Sequence, residues 1–141
     1  MADDLRGHVL GSRDSTYVRW RFLARPDRQY RLFALRRRFT GRMMALAVMR
    51  FSGEGAELLD VVGPRGVFRH VVRAAVNEAA HLGAKILTAW ASAALVELAL
   101  ATGAAAVPSG ASLAISKGSD LSAEQITAAR WWLMGGDTDF L

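Results

Sequence analysis

The stretch from Glu57 to Ala91 constrains the fold of this chain more than any other. It reads Glu57-Leu58-Leu59-Asp60-Val61-Val62, a break at Gly63-Pro64-Arg65-Gly66, a long amphipathic run, Gly83, and then Ala84-Lys85-Ile86-Leu87-Thr88-Ala89-Trp90-Ala91. In the amphipathic run Val67, Phe68, Val71, Val72, Ala75, Val76 and Ala79 recur at helical spacing, while Arg69, Arg73, Asn77, Glu78 and His81 fall on the other side. Such a stripe predicts a helix over 67–82 with one face buried. Gly83 suits its C-terminal cap. Two strands joined by one helix need a right-handed crossover, which makes them a parallel pair.

Upstream, the pattern is that of an antiparallel meander. Gln29–Arg37 alternates around Phe33 and Leu35, and Arg42–Phe51 is apolar on both faces, as a central strand is. Ser15 is placed to cap a helix over 16–25, with Trp20, Leu23 and Ala24 on its apolar side and Pro26 as its stop. Downstream, Ser92 precedes a short helix ending at Gly103, and Ala111–Ser116 reads as a strand. Ser122 and Gln125 have capping-box spacing for a helix to about Met134, before a final short strand at Asp137–Leu141. The predicted class is α/β in the α+β sense: a mixed sheet of about six strands with helices on both faces. We expect residues 1–15 to be an N-terminal tail and 16–141 one domain.

The chain has 141 residues, 52% of them hydrophobic, which suffices for one core. With no cysteine, disulfides and thiolate metal sites are excluded. The longest uncharged stretch, 98–116, is interrupted by Gly103, Pro108 and Gly110, so no membrane span is expected and the cytoplasm is the default location. Residues 1–50 carry 12 of the 18 basic residues and 4 of the 13 acidic ones. A basic third of this kind suits nucleic acid, an anionic cofactor or a membrane surface, or is simply a solvated face. No aromatic-rich RNA-binding motif accompanies it, which ranks nucleic acid last. His8, His70 and His81 lack metal-ligand spacing, so no metal is expected.

Three stretches carry a family resemblance. They are Trp20-Arg21-Phe22, then Pro26-Asp27-Arg28 with Tyr30-Arg31-Leu32-Phe33, and Trp131-Trp132-Leu133-Met134-Gly135-Gly136-Asp137-Thr138-Asp139-Phe140. In this order, with the strand and helix succession, the chain resembles the GNAT superfamily of acyl-CoA-dependent N-acyltransferases, in particular bacterial GNAT-type acetyltransferases, from about Tyr17 onward. The superfamily's first strand and helix have no counterpart. The resemblance implies acetyl-CoA or another acyl-CoA as co-substrate and a small-molecule or peptide amine as acceptor. It implies that the pyrophosphate rests where the crossover helix begins.

That place is Val61, Val62, Gly63, Arg65, Gly66, Val67, Phe68 and Arg69, with Ser92 at the head of the next helix as a further cofactor-binding candidate. Gly66 falls on the family's first phosphate-loop glycine, but Gly63 and Phe68 depart from the pattern. Pro64 lacks an N–H. No tyrosine stands at the family's usual acid position in the helix after Ser92. Asp60 and Glu57, with Glu54, are the candidate bases. Asp60 sits inside an apolar strand, where desolvation would suit it to proton transfer. Pairing with one of the many arginines is the alternative. Loss of catalysis, leaving a binding or assembly module, is the second functional reading. The apolar residues on both faces of 29–37 also predict a cover for that edge strand, either a homodimer or a missing N-terminal domain.

Overall fold

A computed structural model describes residues 8–9, 11–25, 29–108, 122, 124, 130–131 and 133–137. A four-stranded mixed sheet forms its centre, in the order Tyr30–Arg36, Met43–Ser52, Gly55–Val62, Ile86–Thr88. Strands β2 (Tyr30–Arg36), β3 (Met43–Ser52) and β4 (Gly55–Val62) are an antiparallel meander, and β5 (Ile86–Thr88) runs parallel to β4. The expected parallel pair and its crossover helix, α2 (Phe68–His81), are therefore present. A separate two-stranded parallel ladder joins β1 (His8–Val9) to β6 (Arg130–Trp131). Four of the six expected strands form the central sheet among the described residues, and the pair of β1 with β6 is an addition to the expected set. Arg130–Trp131, expected within a helix, are extended. The expected strand 111–116, the turn Pro26-Asp27-Arg28 and residues 138–141 lie outside the described residues.

Helix α2 packs on one face of the sheet through Phe68, Val71, Val72, Ala75 and Ala79, against Ala45, Ala47, Met49, Leu58 and Val61. Alanines on both surfaces keep the layer thin, and Phe68 and Met49 supply bulk. Burying a side chain of that size stabilises by roughly 1.5–3 kcal/mol. Val76, assigned to the stripe by spacing, is 46% exposed. Gly83 ends this region at φ +86°, as a left-handed cap requires. Helix α3 (Ala93–Leu100) adds Leu95 to the same core.

The opposite face carries a smaller cluster of Phe22, Val48 and Leu59, edged by Tyr17, Val18, Tyr30 and Leu32. Its cover is α1 (Ser15–Val18) and a wider, π-helical turn over Arg19–Leu23. Here the sequence reading is corrected twice. The cap is Asp14, whose side chain accepts from Tyr17 N at 2.8 Å, and not Ser15. Trp20 and Leu23, expected to be inward, are 65% and 61% exposed, whereas Arg21 and Phe22 are buried. The Ala24 N–H reaches back to Arg19 O, one residue further than in an α-helix, which shifts the phase of the buried face.

β2 is an edge of the four-stranded sheet, as expected. Its apolar side chains are partly buried by their own chain: Phe33 and Leu35 pack on the main core, Tyr30 and Leu32 on the smaller one. All four remain half-buried, on both faces of the edge strand. No helix among the described residues is long and apolar enough to cross a membrane.

Candidate functional site

The site begins with a bulge. β3 and β4 pair in register up to Val48 with Asp60, and the register then shifts so that Met49 opposes Leu58. Leu59 is the extra residue. The bulge breaks the strand's alternation: Leu58 and Val61 both enter the main core, while Leu59 joins the smaller one and Asp60 turns toward the N-terminal segment. Re-aiming a side chain in this way is a common use of a bulge.

Asp60 has no solvent exposure. Its Oδ1 accepts from Arg13 Nε at 2.8 Å and from Val61 N at 2.8 Å. Its Oδ2 lies 3.2 Å from Tyr17 Oη. Tyr17 Oη is also 3.1 Å from Gly136 O, so its one proton serves either acceptor. Gly136 O accepts in addition from Arg21 Nε at 3.0 Å. Arg13 is as buried as its partner, with its side chain 1% exposed. Asp60, Arg13, Tyr17, Arg21 and Gly136 therefore form one buried polar node joining β4, the N-terminal segment and the C-terminal turn. The boundary drawn at residue 15 cuts through this node, because Arg13 and Asp14 belong to the fold.

The second element of the site is the opening between the parallel strands. β4 and β5 pair only from Gly55 with Ile86 to Glu57 with Thr88. Beyond that the chain after β5 turns to the C-terminal segment: Gly135 N donates to Trp90 O, Ser92 N to Leu133 O, and Ala91 bridges Met134. This is why the strand expected over 84–91 stops at Thr88. Met134 enters the main core, whereas Gly136 faces Phe22, Asp60 and Leu59. The stretch 134–136 thus passes from one face of the sheet to the other beside the free half of β4. A Cβ at Gly136 would stand 3.0 Å from Phe22 Cζ and 3.2 Å from both Asp60 Cβ and Leu59 O.

The third element is the start of α2. A 3₁₀ turn, Arg65–Val67, precedes the helix, and it engages the N–H of Val67 with Pro64 O and that of Phe68 with Arg65 O. Two donors expected to face a phosphate are used within the chain. Arg65, Gly66 and Arg69 are exposed, and a Cβ at Gly66 would meet nothing within 4 Å. Val61 and Phe68 are buried in the main core, Val62 and Val67 are half-buried, and Gly63 is pressed against Ala45.

Ser92, the residue that precedes α3, makes no side-chain cap; its Oγ accepts from Leu133 N at 3.2 Å and so holds the C-terminal segment. Glu57 accepts from Arg50, directly across the ladder, and Glu54 pairs with Lys85 at 2.7 Å. Asp60 and Glu57 are thus brought onto one strand, but each meets its own arginine. Among the described residues no group of three or more His, Asp or Glu is placed to hold a metal.

Arg13 and Tyr17 were not singled out by the sequence as site residues, and Arg21 and Gly136 entered only within the stretches of family resemblance. The signal that existed was general: an acid inside an apolar strand needs a cation. With 12 basic residues in the first 50, it did not say which. Comparison of the chain with models of known families, with characterised proteins and with solved structures returns no match.

Proposed function

We propose that the chain is an acyl-CoA-dependent N-acyltransferase domain of the GNAT type, transferring an acetyl or other acyl group to an amine. One observation carries the reading: a parallel strand pair that parts after three residue pairs, with the leading strand running into an exposed helix start beside Arg65 and Arg69. A helix N-terminus with flanking arginines favours phosphate, and an open strand edge offers backbone groups to an amide-containing arm. In such a domain the fold supplies position. The acceptor amine attacks the thioester carbonyl, and the thiolate of the coenzyme leaves with a proton. Asp60, enclosed by Arg13, Tyr17 and Val61 N, acts in this reading as an anchor that shapes β4, and Glu57 is held by Arg50.

A second reading has a specific observation behind it. Met134–Gly136 already stands beside the free half of β4, where an acyl-CoA arm would lie. A domain that keeps this segment in place binds no arm and works as a binding or assembly module. Titration with acetyl-CoA, followed by thermal unfolding, separates the two. For the transferase reading the midpoint rises with ligand by several degrees at saturating concentrations. Gly66→Asp, which places a negative charge at the exposed helix start without steric conflict, abolishes the rise. A midpoint independent of acetyl-CoA in the unaltered chain leaves the module reading.

A further inference from the structure

The β2–β3 hairpin ends in Arg36-Arg37-Arg38-Phe39-Thr40-Gly41-Arg42-Met43. The turn is closed by two backbone bonds, Gly41 N to Arg37 O and Arg37 N to Arg42 O, both 2.9 Å. Gly41 takes φ +64°, which a side chain would resist. Every residue from Arg36 to Met43 is exposed. Phe39 is 95% exposed and Met43 57%. Arg36 Nη1 donates to Gly41 O, and Arg38 lies over the Phe39 ring at 6.0 Å. None of the four arginines has a carboxylate partner among the described residues.

The register places this tip at the same end of the sheet as the start of α2. Leu46 pairs with Val62, Gly63 abuts Ala45, and the exposed Arg65 and Arg69 follow. The acids Glu54 and Glu57 sit toward the other end of β4, and Glu78 in the last turns of α2. Among the described residues, this end of the sheet is therefore cationic and carries an exposed aromatic ring.

We propose that this end docks the domain onto the surface of an anionic phospholipid bilayer, with Phe39 and Met43 entering the headgroup–acyl boundary and Arg36, Arg37, Arg38 and Arg42 on the lipid phosphates. The charge fits the negative leaflet, to which each basic residue adds affinity. The ring decides between lipid and nucleic acid. Strand-binding proteins stack successive bases on several rings along a groove, whereas this hairpin tip offers one ring, Phe39. The proposal does not depend on the transferase reading.

The test is co-sedimentation of the full chain with vesicles of phosphatidylcholine alone, and of phosphatidylcholine with about a third phosphatidylserine. The chain binds the mixed vesicles, and raised salt releases it. Phe39→Ser weakens binding on the order of tenfold or more, as loss of a buried ring should. Arg37→Gln with Arg42→Gln weakens it by roughly 25-fold, about fivefold for each arginine. Both variants alter exposed side chains, and far-UV circular dichroism matching the unaltered chain establishes that they fold. Equal binding to both vesicle types overturns the proposal, as does mixed-vesicle binding unchanged by Phe39→Ser. Binding of a short single-stranded RNA without binding to mixed vesicles overturns it as well.

Discussion

Asp60→Ala is expected to lower the unfolding free energy by about 3–5 kcal/mol, the cost of removing one member of a buried ion pair. The reason lies in what remains. Arg13, with its side chain 1% exposed, loses the carboxylate it faces at 2.8 Å, and Tyr17 and Val61 N lose an acceptor. Domains are held by only about 5–15 kcal/mol, so the variant will be marginal at room temperature. Urea denaturation followed by circular dichroism measures the change. A control separates pairing from packing: Arg13→Met combined with Asp60→Leu removes both charges and should recover much of the loss, because an apolar replacement of a buried pair is often neutral or better. A loss below about 1 kcal/mol for Asp60→Ala, the size of an ordinary surface effect, would show that the node does not anchor β4.

The parts of this fold legible in the sequence are those governed by periodicity. The α2 stripe, the meander and the parallel return of β5 follow from local repeats of polar and apolar residues, and they sit within a few residues of where the spacing put them. Where the reading failed around Asp60, phase was the cause. One extra residue at Leu59 swung Asp60 to the other side of the sheet, and one wider turn after Val18 exchanged Trp20 and Leu23 for Arg21 and Phe22. Each is a single-residue offset that a strict period of 2 or 3.6 does not contain. Both offsets feed the same node, so the least legible residues are the ones that join the two ends of the described chain. The strand-to-helix turn was legible as a location and not as chemistry. Two glycines stand there, and only the approach of β3 decides which is needed for packing.

Those two glycines give the second large effect. A Cβ on Gly63 would lie 2.6 Å from Ala45 Cβ, 3.2 Å from Ala45 Cα and 3.2 Å from Met44 O. Ala45 is buried in the main core, and two of the three obstructing atoms belong to the backbone of β3. Neither can move aside as a flexible side chain would. Gly63→Ala must therefore push the end of β4 away from β3 and disturb the seating of Phe68 that follows. Overpacking of this kind costs about 1–3 kcal/mol, and the rigid neighbours put this site toward the upper figure. Gly66 is the opposite case. Its Cβ would point into open space, and its φ is not in the left-handed region. Gly66→Ala is expected to change stability by less than about 1 kcal/mol, with a gain favoured because alanine restricts the unfolded chain. Side-by-side denaturation of the two variants checks the pair. Equal losses at both positions would mean that the turn as a whole, and not the contact of Gly63 with β3, fixes how α2 leaves the sheet.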